Sequence, residues 1–288
     1  MATTVEITVA RQTPKTRRFS LGLGGWIGAG ILVLFFVVAI LAPIMAPYDP
    51  VKQIGDSLAA PGAGHIMGTD LYNRDVFSRV LYGAQVSMSV GLIVTLVAFV
   101  VGVVLGLASA YFGSWVDVII GRVTDALMAV PGILLAIAIL AVLGGGLSNV
   151  VIALSLVYLP EMIRVVRGQA LSVKERLYVT SAVALGSGHG RLILRHIAPH
   201  VLGPTIVQAT FVFAHALLYE SALSFLGLGI QPPQATWGNL VADGLPYLSS
   251  APLQVVFPCI VVSLAVLSVN LFGDALRDVI DPEGNVSR

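Results

Sequence analysis

The sequence has little charge and almost no cysteine, and each shortage excludes a class of protein. Asp, Glu, Lys and Arg make up 11% of the 288 residues, less than half of the roughly 25% typical of a soluble domain. Sixteen basic against fifteen acidic side chains leave a net charge of +1, so no overall field attracts a nucleic acid. The single cysteine, Cys259, excludes an intrachain disulfide and a cysteine-rich metal site.

Recognisable catalytic and metal-binding motifs are also missing. The three lysines follow Pro14, Val51 and Val173, so none completes the G-x-x-x-x-G-K-[ST] loop that cradles nucleotide phosphates. His196 and His200 have i, i+4 spacing, but no H-E-x-x-H sequence is formed. We therefore expect no catalytic residue, no metal and no cofactor bound by this chain.

Long apolar runs dominate what is present. The composition is 57% hydrophobic with a mean hydropathy of +0.92. Five charge-free runs are each long enough for the roughly 20 residues that cross a bilayer as a helix. Gly144 to Gly146 interrupt the third run, which we divide in two. The sequence thus predicts an all-α polytopic membrane protein with six transmembrane helices, over residues 26–46, 86–110, 119–143, 148–167, 200–227 and 253–274.

The distribution of basic residues predicts the orientation. With both termini inside, thirteen of the sixteen Lys and Arg residues fall in cytoplasmic segments, as the positive-inside rule requires. The chain then divides into a cytoplasmic segment 1–25, a first anchor 26–46, an extracytoplasmic loop 47–85, a transmembrane domain 86–276 and a cytoplasmic tail 277–288.

One cytoplasmic segment, residues 172–196, has the features of a docking element. Ser172 and Glu175 form an S-x-x-E capping box, which predicts a helix start. Apolar residues follow at helical spacing, and Gly186 to Gly188 predict its end. Two interpretations stand at this point: a membrane-surface helix that anchors a loop, or a plug for the groove of another protein.

Several separated motifs carry a resemblance to a known family. Tyr178 to Gly186, with Arg195 to Pro199, resembles the EAA loop of ABC-importer permeases. The other motifs resemble the dipeptide/oligopeptide/nickel branch of that family, specifically its C subunit: His65 to Asp70, Arg74 to Arg79, Tyr82 to Ala84, Ala110 to Gly113, Ser221 to Gly229, Gln231 to Pro233, Trp237 to Asn239 and Asn270 to Asp278.

The resemblance implies a type I ABC importer permease fold and two contact surfaces. The EAA loop would couple to an ATPase through Tyr178, Thr180, Ser181, Ala182, Leu185, Gly186, Arg191 and Arg195. The outer segments, including 230–252, would dock a binding protein through Thr69, Asp70, Arg74, Asp75, Pro233 and Trp237. The chain departs from the family at Thr180 and Ser181, where Glu-Ala is usual.

Two glutamates lie inside predicted spans, where charge is expensive. Glu161 precedes Arg164 by three residues, so an i, i+3 ion pair explains it without a function. Glu220 matches a family Glu. We expect it to pack against a polar group of a partner permease, in preference to contacting the solute.

By resemblance, the chain is one permease of an ATP-driven importer of short peptides or a related small solute in the bacterial inner membrane. Its expected partners are membrane lipid, a homologous B permease, one or two cytoplasmic ATPases that bind ATP and Mg²⁺, and an extracytoplasmic solute-binding protein. The alternatives are a self-sufficient secondary transporter, which would need internal repeats and coupling-ion carboxylates, and an intramembrane protease.

The topology gives the first testable prediction. A reporter fused after Arg288 should report the cytoplasm, and one inserted near Gly62 should report the outside, because basic residues are retained on the inner side. An external signal from the C-terminal fusion would contradict the six-span arrangement and would put residues 172–196 on the wrong side for an ATPase.

Overall fold

A computed structural model describes residues 21–62 and 64–280, and within these ranges the fold is helical, without a β-strand. The chain order is α1 (Leu23–Met45), α2 (Val76–Phe112), α3 (Ser114–Met128), α4 (Gly132–Leu143), α5 (Leu147–Lys174), α6 (Leu177–Ala184), α7 (His189–Arg191), α8 (Ala198–Phe225), α9 (Trp237–Gly244) and α10 (Leu253–Ile280). A π-helical stretch, Leu192–Ile197, joins α7 to α8, so His189–Phe225 forms one rod.

Five of these helices are long and apolar enough to cross a membrane. The bent pair of α3 and α4 passes the same test together and is the candidate for the sixth pass. The predicted single helix over 119–143 is wrong, because α3 and α4 meet at 90°. Pro131 explains the break. It has an extended backbone (ψ 131°), it lacks an N–H group, and proline disfavours the helical conformation of the residue before it.

The packing of α2 against α5 shows that α3 and α4 together cross the bundle. Gly102 faces Met162, and four residues later Gly106 faces Val166, so α2 and α5 run in the same direction. The chain must therefore return from Phe112 to Leu147 before α5 can begin. The broken pair makes that return, which gives six passes.

The other helices place both described ends at one end of the bundle. α8 and α10 are antiparallel, with Gly203 against Ile280 and Gly273 against Thr210. α1 is antiparallel to α10, with Gly25 against Ala275. The start of α1, the end of α10 and the α6 segment therefore share one end, which we call the coupling end. Its location in the cytoplasm stays a prediction from the basic residues.

The glycines of α2 set how closely it approaches α5, and this contact can be tested. A Cβ atom at Gly106 would lie 2.7 Å from the Val166 Cβ, whereas nothing lies within 4 Å of a Cβ at Gly30. Gly106→Leu should therefore destabilise the protein by at least the ~1–3 kcal/mol usual for overpacking, and Gly30→Leu should not. Thermal unfolding of the two variants in detergent measures the difference in stability. Equal melting temperatures would contradict the prediction.

Candidate functional site

The α6 helix presents apolar side chains to its surroundings at the coupling end. Val179 is its buried anchor, 2% exposed, in a cluster with residues of α2, α5 and α8. Leu177 is 84% exposed and Leu185 86%. These two leucines leave apolar area exposed just outside the membrane-spanning helices. α6 is thus fixed on one side and open on the other.

The start of this helix differs from the sequence prediction. The Ser172 to Glu175 capping box does not form, because α5 continues as a helix to Lys174. α6 begins only at Leu177, after Arg176 in an extended conformation and without a side-chain cap. Packing of α5 against α2 outweighs the local capping signal.

The end of α6 matches the prediction of a glycine stop. The Ser187 N–H donates to the Ala182 carbonyl and the Gly186 N–H donates to the Val183 carbonyl, the two hydrogen bonds of a Schellman motif. Gly186 has φ +79°, in the left-handed region where glycine carries no steric cost. The chain therefore reverses sharply at the tip of the exposed surface.

The structure brings the predicted coupling residues to this same tip, with differing roles. Tyr178 lies against the His200 ring, with ring centroids 5.5 Å apart, and the Thr180 hydroxyl donates to the Leu177 carbonyl. Ala182 is half-buried in the cluster that holds Val179. The others have exposed positions: Thr180, Ser181, Leu185, Gly186, Arg191 and Arg195.

Two contacts missed by the sequence reasoning fix this tip to the bundle. The Lys174 ammonium donates to the carbonyls of Ala110 (3.1 Å) and Tyr111 (2.9 Å). Both carbonyls lie in the last turn of α2, where a helix has no backbone N–H to donate to them. The Tyr111 hydroxyl lies 2.6 Å from His189 Nδ1. A lysine at the end of one helix gives no sequence signal that it caps another.

At the opposite end, the outer segment is held by a buried ionic cluster. Arg74 Nε is 2.7 Å from Asp70 Oδ2, and Arg79 reaches both Asp70 (3.5 Å) and Asp243 (3.4 Å). Burial raises the pKa of the Asp243 carboxyl, while the Arg79 and Arg74 guanidinium groups oppose that rise. Asp75 accepts from the Ser78 N–H and hydroxyl at 2.8 and 2.7 Å and so caps α2.

This burial overturns the predicted docking role of most outer residues. Five of the six side chains are at most 7% exposed, which leaves them no surface for a binding protein; they are Thr69, Asp70, Arg74, Asp75 and Trp237. The motif residues were read as a loop surface, whereas they pack and pair internally. Only Pro233 is exposed, and its docking role stays a prediction.

Trp237 is fully buried between three helices. Its indole N–H donates to the Val80 carbonyl of α2 at 3.2 Å, and its ring meets Phe35 of α1 edge-on, with centroids 5.8 Å apart. The backbone of α9 lies so close to α8 that a side chain at Gly238 would collide with Ser221. Trp237 therefore fastens α9 to the bundle.

Glu220 is also buried, inside a shell of hydroxyl groups from this chain. The Ser224 hydroxyl donates to Oε1 at 2.9 Å and the Ser221 hydroxyl lies 3.5 Å from Oε2. Ser224 in turn accepts from the Ile230 N–H. Because Glu220 is 0% exposed, the predicted contact with a partner permease or a solute is wrong. Its carboxylate organises the turn after α8.

Two family descriptions match this chain. The binding-protein-dependent transport system inner membrane component matches residues 102–283. The N-terminal transmembrane domain of oligopeptide transport permease C matches residues 17–61.

Relatives with high identity extend the similarity over nearly the whole chain. A dipeptide transport system permease protein of Alkalihalophilus pseudofirmus is 42% identical, covering 89% of this chain and 85% of that protein. A di/tripeptide permease of Pseudomonas aeruginosa is 39% identical, covering 88% and 87%. A glutathione permease of Escherichia coli is 40% identical, covering 93% and 89%.

The burial of Trp237 yields a prediction with a matched control. Trp237→Ala should lower the free energy of unfolding by about 3–5 kcal/mol, as expected for a large cavity, and reduce the amount of folded protein in the membrane. Trp115→Ala removes a side chain that is 78% exposed and should do neither. Normal stability of Trp237→Ala combined with defective binding-protein docking would restore the docking interpretation.

Proposed function

The chain belongs to the family of binding-protein-dependent transport system inner membrane components, and from this we propose the system in which it acts. It is one of two permease subunits that enclose the translocation pathway of an ATP-driven importer. Its solutes are short peptides or close relatives, as the names of its peptide and glutathione relatives suggest.

The exposed apolar tip at the coupling end is the observation that supports ATP coupling. A leucine-bearing helix anchored by one buried valine and stopped by Gly186 suits insertion into the groove of a partner. On either side of that helix, Lys174 ties the end of α5 to the end of α2, and His189 of α7 contacts Tyr111 of α2. Movement of a bound ATPase is therefore transmitted to helices that span the membrane.

The chemistry is divided among partners in this proposal. The sequence has no phosphate-binding loop, so separate cytoplasmic ATPases bind ATP and Mg²⁺ and hydrolyse the nucleotide. A homologous permease completes the pathway, and an extracytoplasmic binding protein delivers the peptide. Closure of the ATPases drives the permeases from an inward-open to an outward-open arrangement, in which the peptide enters.

The rival function is a secondary transporter driven by an ion gradient. Such a protein carries internal repeats and carboxylates for a coupling ion near the middle of the bilayer. The sequence shows no internal repeat, and of the two glutamates within the predicted spans Glu220 is occupied by its own hydroxyl shell, which leaves only Glu161. Vesicles that contain only this chain should therefore take up no peptide on an imposed proton or sodium gradient. Gradient-driven uptake would overturn the proposal.

Gly186 gives the direct test of coupling. Gly186→Asp forces a side chain into a backbone with φ +79°, which costs about 1–2 kcal/mol, and adds a charge to the docking tip. The test uses the reconstituted complex of both permeases, the ATPases and the binding protein. In it, Gly186→Asp should lower at least fivefold either the co-purification of the ATPases or the stimulation of ATPase activity by loaded binding protein. Membrane insertion of the variant should be normal.

Gly190→Asp is the matched control, because it adds the same charge at an exposed position of the same segment without a positive φ. Its effect should be clearly smaller. Thr180→Ala should also do little, since the chain already lacks the usual Glu there. Wild-type association and stimulation in Gly186→Asp would remove the α6 segment from the coupling role.

A further inference from the structure

A cavity of about 250 Å³ lies at the break between α3 and α4. Pro131 and Gly132 of the break form one wall, and Tyr158 and Glu161 of α5 and Tyr219 of α8 form the other. Broken helices at membrane depth are found where the backbone lines a water-filled cavity or a binding site. The cavity is therefore placed where a solute pathway is expected.

Glu161 is the one acidic residue that lines this cavity, and its predicted ion pair does not form. Arg164 instead pairs with Asp125 of α3, with Nη2 3.0 Å from Oδ1. Across the described residues 21–62 and 64–280, no basic side chain forms an ion pair with the Glu161 carboxylate and no donor hydrogen-bonds to it. The side chain is exposed to the cavity.

The depth of Glu161 makes this arrangement unusual. It is about 21 Å from the start of α5, a helix about 42 Å long, and thus in the inner part of the roughly 30 Å hydrocarbon core, three residues before Arg164. Acidic side chains within a membrane are costly and pair with a cation or line a polar pathway. A cation from outside the described part of the chain can therefore pair with Glu161.

Aromatic rings beside Glu161 add a second feature that favours a cation. The rings of Tyr158 and Tyr219 have centroids 5.7 Å apart. Tyr158 is only 6% exposed, and its buried hydroxyl has no hydrogen-bond partner among the described residues. An ammonium group can lie against such rings, donate hydrogen bonds to a carboxylate or a phenol oxygen, and gain from both.

We propose that this cavity binds the α-ammonium group of a peptide during its passage, with Glu161 as the counter-ion and Tyr158 and Tyr219 as the walls. The inference rests on the proposed peptide-import function. It assigns a binding subsite to the translocation pathway of that importer. A free amino terminus is the cation that every unmodified short peptide carries. The other possible source, a basic side chain of the partner permease, is an outcome of the test below.

The test uses the full complex in proteoliposomes, with binding protein loaded in advance with a tripeptide or its N-acetylated form. Glu161→Gln keeps the shape of the side chain and removes its charge. It should lower uptake of the free tripeptide about tenfold, leave ATPase stimulation within twofold of wild type, and leave uptake of the acetylated form unchanged. Glu161→Asp should recover part of the uptake.

Asp278→Asn, which neutralises an exposed acidic residue at the coupling end of α10, is the control and should transport normally. Unchanged uptake of the free tripeptide by Glu161→Gln would overturn the subsite, as would an equal loss for both peptide forms. Loss of co-purification with the partner permease would overturn it in favour of an intersubunit ion pair. Failure of the wild-type complex to import either peptide would instead contradict the proposed function.

Discussion

The close parallel contact between α2 and α5 is the constraint on which the rest of the structure depends. Gly102 and Gly106 remove the side chains that would keep the helices apart, so Met162 and Val166 rest on the α2 backbone. Two parallel neighbours cannot be joined by a short turn, and the chain must cross back between them. A return pass follows from that requirement, and Pro131 breaks this pass where the cavity lies.

The two ends of the bundle solve different physical problems. At the outer end, paired charges, a helix cap and the hydroxyl shell of Glu220 satisfy most of the polar groups that the fold buries, although Arg79 Nε and Nη1 lack hydrogen-bond partners among the described residues. Unpaired, such groups would cost several kcal/mol each. At the coupling end the fold leaves leucines exposed and fixes only the base of α6. The outer end thus has most of its polar groups paired internally, whereas the coupling end has an exposed surface. This difference suits the proposed coupling to an ATPase at one end only.

Hydropathy, charge distribution and motif resemblance were enough to predict the helical class, five of the passes and the stop at Gly186, because these depend on local composition. The pairing of Arg164 with Asp125 and the burial of Trp237 depend on which helices become neighbours. A motif rich in Pro, Gly and Trp looks the same in sequence whether it is a docking loop or an internal fastening. The sequence alone therefore does not distinguish a docking role for Trp237 from an internal packing role.

Helix α5 connects the coupling end to the cavity, and its proline determines how. Its last turn is tied to α2 by Lys174, while Tyr158 and Glu161 lie midway along it. Pro160, between these two residues, removes one helical hydrogen bond and permits bending there. The inner half of α5 carries Glu161 and is held against α2 by Met162, Val166 and Lys174, so it can tilt against the outer half only together with the inner end of α2. Such a tilt would move the Glu161 carboxylate relative to the Tyr158 ring and alter the cavity.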